Sequence, residues 1–217
     1  MPRTARVGVV ADTHVGEYLD ALPAGVAKAL DGCELILHVG DISVPSVLDE
    51  LGRLAPVVAV RGDHDRPDGL GLPRTAVVTV AGHRIGLTHG RRFLPLDLTV
   101  IAAHVIAGRK LRWRANLHRA LLQRVGPVDC LVYGHWHEPV MEHVGDTLVF
   151  SPGAVCPWGN LQNGRRPRPG IKGIGDRGVR RYRMQLGREA MRPSVGILEV
   201  GPSGITATVV PVAGVSR

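Results

Sequence analysis

Five apolar runs in this sequence end in residues that bind metals. Val7–Ala11 leads into Asp12-Thr13-His14, Glu34–Val39 into Gly40-Asp41, and Pro56–Val60 into Arg61-Gly62-Asp63-His64-Asp65. Arg84–Thr88 then runs into His89-Gly90, and Asp129–Tyr133 into Gly134-His135-Trp136-His137. Asp12, Asp41 and Asp63 supply carboxylates; His14, His89, His135 and His137 supply imidazoles. A single ion binds roughly four to six groups, so this set suits two divalent ions bridged by one carboxylate. Any one of these elements is weak alone: Asp12 read in isolation caps a helix as readily as it holds an ion. The ordered set carries the argument.

The elements that must position these groups are legible from their patterning. Val-rich runs bounded by Gly and Asp read as strands covered on both faces, as in parallel sheets. If the first strand stays extended through residue 14, Asp12 and His14 point the same way, from the end where open α/β sheets bind ligands. Helices are expected over Tyr18–Leu30 and Ser43–Leu54, the latter with Pro45 in its first turn. The resulting β-α-β-α-β rhythm predicts a parallel sheet with right-handed crossovers. Thr75–Val80 and Arg84–Thr88 flank Ala81-Gly82-His83 as a hairpin. Residues 94–125 read as two helices meeting near Gly108, with a buried stripe of Leu117, Leu121, Leu122 and Val125. Val140–His143 with Thr147–Phe150, and Val195–Val200 with Ile205–Val210, form two more hairpins. Glycines beside the last four groups of candidate ligands allow sharp turns and close approach to an ion. The expected architecture is α/β: two stacked mixed β-sheets flanked by helices, in one domain spanning 1–217.

Of the 217 residues, 27 are Lys or Arg and 19 are Asp or Glu, for a net charge of +8. Ten of those bases and two of those acids lie between Cys156 and Ser194, so the remainder is neutral. That segment, with its many Gly and Pro, reads as a long loop inserted into the domain at about 156–194, with one short helix over Val179–Ala190. It is a candidate wall for attracting a nucleotide or nucleic acid. The competing readings are a solvated loop or a contact between copies of the chain. Trp158 and Tyr182 are its only aromatics, too few for a base-stacking platform. No run is long and apolar enough to span a bilayer, and the N-terminus lacks a signal-peptide pattern. Cys33, Cys130 and Cys156 have no paired spacing, and the expected location is cytoplasmic.

The order Asp-x-His, Gly-Asp, Gly-Asp-His-Asp, His-Gly, Gly-His-x-His, followed by Ser151-Pro152-Gly153, resembles the calcineurin-like metallophosphoesterases, most closely their small phosphodiesterases. The resemblance covers residues 5–155 and resumes at about 193–200. It implies a four-layer sandwich and a dinuclear, metal-dependent phosphodiesterase in which metal-activated hydroxide attacks the ester. It implies that Asp12, His14, Asp41 and His137 hold one ion, and that Asp41 bridges to a second held by Asp63, His89 and His135. His64 would contact the phosphate or protonate the leaving group, with Asp65 orienting it. The mixed donor set favours Mn²⁺, with Fe²⁺, Zn²⁺, Ni²⁺ or Co²⁺ as alternatives.

Two positions depart from the family pattern. Asp63 replaces a usual Asn, which adds a negative charge and predicts a tighter second ion. Arg91 replaces a His found in many relatives. Its guanidinium is a candidate phosphate clamp, against the alternative of a solvated Arg91–Arg92 pair. His38 reads as a satisfied core residue. Two other functions are weighed: a nuclease using the basic loop, and a non-catalytic scaffold like the retromer subunit of this fold. The scaffold reading expects lost ligands, and here every ligand position holds a competent donor.

Overall fold

The computed structural model describes residues 3–65, 71–92, 94–107, 113–157, 178, 181, 182, 184, 185, 187 and 191–213. In chain order the elements are β1 (Ala5–Val10), α1 (Ala24–Ala29), β2 (Leu35–His38), α2 (Ser46–Gly52), β3 (Val57–Ala59), β4 (Thr75–Val80) and β5 (His83–Thr88). There follow α3 (Leu94–Ala107), α4 (Arg114–Val125), β6 (Cys130–Tyr133), β7 (Pro139–Val144), β8 (Thr147–Pro152), β9 (Ser194–Gly201) and β10 (Gly204–Pro211). They build two five-stranded mixed sheets, ordered β10-β9-β1-β2-β3 and β4-β5-β6-β8-β7.

The apolar runs behave as their patterning requires. β1, β2 and β3 are parallel, with Val7 opposite Leu35 and Ile36 opposite Val57. The three predicted hairpins form as β4–β5, β7–β8 and β9–β10. Val7, Val9 and Leu37 of the first sheet share a buried cluster with Leu87, Val132 and Phe150 of the second. The opposite face of the first sheet, through Val10 and Ile36, packs on Val26 of α1, Leu30 just after it, and Val47 and Leu51 of α2. Leu131, Tyr133 and Val149 on the outer face of the second sheet pack on Leu117 and Leu121 of α4. Helix, sheet, sheet and helix give four layers. A strand covered on both faces has no solvent side, hence its unbroken apolar character. Gly8 shows how close the layers come: a Cβ there would lie 2.5 Å from Leu30 Cδ2.

Two expectations need correction. Helix covers only Ala24–Ala29 of the 18–30 stretch, because Pro23 holds extended backbone at the N-cap. Residues 14–19 instead form a turn in which the N–H groups of Glu17, Tyr18 and Leu19 all approach the carbonyl of His14. α2 likewise starts three residues later than predicted, after Ser43 at φ 69°. The five ligand-bearing strand ends are divided between the two expected sheets. Three terminate strands of the first sheet and two those of the second.

Gly108 and residues 158–177, expected as a loop, lie outside the described residues, as do Val179 and Ala190. Within the expected 179–190 helix, Arg181, Tyr182, Met184 and Gln185 are helical. The Tyr182 ring is buried 6.0 Å from that of Trp136. None of the described helices is long and apolar enough to cross a membrane.

Candidate metal centre

The candidate ligands converge, but not by strand alternation. β1 ends at Val10, and Asp12 and His14 sit beyond it with φ of 53° and 49°. Asp41, His135 and His137 also take positive φ, at 57°, 71° and 55°. Asp and His tolerate this left-handed region better than most residues, yet each such residue still costs of order 1 kcal/mol. Five at one rim show a backbone held against its preference. The holding bonds are visible: Asp12 N–H donates to the Gly40 carbonyl at 3.1 Å and His14 N–H to the Asp41 carbonyl at 3.0 Å. The two sheets are stitched together here, since His135 N–H lies 3.1 Å from Asp12 Oδ2. Gly62 must be glycine, as a Cβ would stand 2.2 Å from Asp41 Oδ1.

Seven sequence-predicted residues fall into two triads around Asp41. Asp12, His14 and His137 present donor atoms within 4.8 Å of one another, and so do Asp63, His89 and His135. His137 Nε2 is 3.4 Å from Asp12 Oδ1. His135 Nδ1 is 3.2 Å from Asp63 Oδ2. Asp41 stands between the triads: its Oδ2 is 3.5 Å from His14 Nε2 and 3.3 Å from His89 Nε2.

Each imidazole is oriented from behind. His89 Nδ1 donates to the Val39 carbonyl at 2.9 Å, His137 Nδ1 to the Pro157 carbonyl at 3.3 Å, and His14 Nδ1 to Glu17 Oε2 at 3.2 Å. His135 Nε2 faces Asp97 Oδ2 at 3.7 Å. A hydrogen bond on one ring nitrogen fixes the tautomer and leaves the other as a ligand. The buried Nε2 of His89 makes no hydrogen bond of good geometry, although Asp41 lies so near. An imidazole nitrogen facing a buried carboxylate calls for a positive charge between them. Without an ion that charge is a proton: burial opposes it, but Asp41, Asp12 and Asp63 together push His89 up to about 10. Burial likewise opposes charge on Asp12 and Asp41. His137 holds Asp12 below the ordinary carboxylate range, and His89 with His14 holds Asp41 well below it. Asp63, also opposed by burial, is lowered to about 2 by His135, His89 and Arg91. Anionic carboxylates and inward-facing nitrogens in two adjoining sets fit two divalent cations.

His64 reaches the same rim, 4.7 Å from the His14 ring between centroids. Its partner is Glu17, whose oxygens lie 2.9 and 2.8 Å from Nδ1. That hydrogen bond raises the His64 pKa. Asp65, expected to orient His64, does something else. Its buried carboxylate accepts from the N–H groups of Asp41, Ile42, Ser43 and Gly62 at 2.7–3.0 Å. It thereby shapes the loop that carries Asp41, and both its oxygens are consumed. Glu17 and Asp97 were missed in the sequence. The first had a local signal, lying three residues after His14; Asp97 had none, because it enters from α3.

The two departures from the family pattern meet. Arg91 Nη1 is 2.6 Å from Asp63 Oδ1, so the added carboxylate has its own guanidinium. Arg92 is not half of a solvated pair: it binds Asp97 at 3.0 Å and lies 5.3 Å from the Trp113 ring centroid. Trp136 packs outward on Trp113, with ring centroids 4.3 Å apart, in the cluster that also holds Val140. His38 is a satisfied core residue, bonded to Thr13 and to Gly40 N–H, and burial lowers it to about 4.

A buried carboxylate standing between two histidine-containing triads, where two stacked sheets meet, is a donor set suited to metal-dependent hydrolysis. Residues 6–166 match the calcineurin-like phosphoesterase superfamily domain, and the chain belongs to that family. It is 33% identical to a probable metallophosphoesterase of Methanothermobacter thermautotrophicus over 148 residues, covering 68% of this chain and 76% of that protein. It is also 25% identical over 170 residues to a phosphodiesterase of Methanocaldococcus jannaschii, covering 70% of this chain and 84% of the relative. Among solved structures it resembles vacuolar protein sorting 29 of Cryptosporidium parvum, with a TM-score of 0.61 at 18% identity, covering 95% and 97% of the two chains. An archaeal phosphodiesterase superposes with a TM-score of 0.54 at 19% identity, covering 94% and 99%. At those identities the structural likeness speaks for the fold alone.

Proposed function

We propose that the chain is a dinuclear metal-dependent phosphodiesterase. In this reading Asp12, His14, Asp41 and His137 hold one ion, and Asp41, Asp63, His89 and His135 hold the other. The observation that carries it is the position of Asp41 Oδ2, 3.5 Å from one triad's imidazole and 3.3 Å from the other's. Two bound cations, with Mn²⁺ favoured, would neutralise phosphate oxygens and activate a water. The chain's own residues do the rest. Asp65 fixes the loop bearing Asp41. The Glu17 hydrogen bond favours the protonated form of His64, whose Nε2–H would be offered to the leaving oxygen as a general acid. Arg91 offsets the charge of Asp63.

The reading is tested with the full chain and Mn²⁺ on bis-p-nitrophenyl phosphate and on the corresponding monoester. The diester is expected to turn over faster, and His64→Ala should lower its kcat by about 10²–10⁴-fold, the range for a positioned proton donor. Absence of Mn²⁺-dependent turnover on both esters would sink the enzymatic reading and favour the scaffold.

A further inference from the structure

Beside the second triad opens a recess of about 500 Å³. That is within the range of roughly 300–1,000 Å³ typical of small-molecule sites, but such sites are mostly apolar and this one is not. Arg61, Arg74, Arg91, Arg92 and Arg124 line it, and Asp63 and His89 form the wall it shares with the metal centre. Three of the five guanidinium groups have partners. Arg91 binds Asp63, Arg92 binds Asp97, and Arg124 donates to the Arg91 carbonyl at 2.6 Å. Arg61 and Arg74 have no acidic partner among the described residues. The acids that line it among the described residues are engaged elsewhere: Asp65 by four backbone N–H groups, and Asp63 by Arg91 through one oxygen and by His135 of the second triad through the other.

Arg61, Arg74 and Arg124 bring positive charges with no carboxylate partner among the described residues into one concavity, where they repel one another, and an anion relieves that repulsion. The guanidinium fork matches phosphate oxygens in pairs, a fit that a lysine would not give. We propose that the recess binds a second, non-scissile phosphate of the substrate. The preferred substrates are then phosphodiesters that carry an additional phosphate group, a class that includes phosphorylated dinucleotides. The inference rests on the phosphodiesterase reading above, and it assigns Arg61 and Arg74 as specificity-determining residues.

The test compares a dithymidine dinucleotide with and without a 5′-terminal phosphate, using the Mn²⁺-loaded full chain. The wild type should favour the phosphorylated form by about tenfold or more in kcat/KM, chiefly through KM, and Arg61→Ala/Arg74→Ala should bring the ratio near one. Should the double variant fail to fold, the more exposed Arg74→Ala alone should still narrow the ratio severalfold. Equal KM values in the wild type overturn the proposal, as does a preference that survives the substitutions. A gain that follows oligonucleotide length rather than the terminal phosphate also overturns it, in favour of a nucleic-acid track. Turnover of bis-p-nitrophenyl phosphate without any such preference removes the recess alone, whereas no turnover on any ester removes the phosphodiesterase reading as well.

Discussion

The two triads share Asp41 yet are built differently. In the first, Asp12, His14 and His137 are 0%, 1% and 3% exposed, and all three take positive φ. Their positions are set mainly by main chain pinned between the sheets, with Glu17 behind His14, whereas in the other triad only His135 takes positive φ. In the second, His89 is buried, but the side chains of Asp63 and His135 are 24% and 23% exposed. Side-chain partners, Arg91 and Asp97, steady them, and the arginine recess opens alongside. Main chain holds geometry more rigidly than mobile side chains do. On the dinuclear reading proposed above, the contrast predicts tighter ion retention at the first triad and readier exchange at the second.

The most severe way to break the comparison is to remove what the halves share. Asp41→Asn should abolish two-ion loading and lower activity by about 10³-fold or more, as expected when several kcal/mol of transition-state charge stabilisation is lost. The metal content of the purified variant, measured with its turnover, checks this; retained two-ion stoichiometry would refute the bridging role.

A gentler perturbation sharpens the contrast. Manganese titration of the wild type should show two steps, the tighter belonging to the first triad. Glu17→Gln should weaken the tighter step and Asp97→Asn the weaker one, each by about 10–100-fold, the usual effect of losing a carboxylate behind a ligating histidine. Calorimetry in which both variants shift the same step would erase the distinction.

The smallest expected effect concerns proton and ion as alternatives at His89. Its pKa in the metal-free protein is raised from 6.5 to about 10. The corresponding stabilisation is complete below pH 6.5 and lost as pH rises through about 10. Metal-free protein should therefore melt lower at pH 9.5 than at pH 7, at about 2–4 °C per kcal/mol for a chain of this size. With Mn²⁺ bound, the ion replaces the proton and this fall should vanish. Parallel melting curves with and without metal would contradict the competition.

Much of this site was visible before folding was considered. The donors stand at the ends of apolar runs, and apolar runs of four to six residues must be buried strands. The order of Asp12, Asp41, Asp63, His89 and His135 along the chain was enough to imply one cluster. What escaped was the means of convergence. Asp12 and His14 were expected to point together along an extended strand, whereas they do so through left-handed turns. Asp65 was expected behind His64, where Glu17 stands instead, brought there by the turn at residues 14–19.

Sequence by itself determined the donor types, the strands that carry them and the family, because burial and metal affinity are properties of local residue chemistry. Only the tertiary structure decided that three strand ends come from one sheet and two from the other, that Asp41 lies between the triads, and that Arg91 meets Asp63. Those facts depend on which distant segments lie within a few ångströms. Spacing along the chain does not encode that distance; the packing of two sheets face to face does.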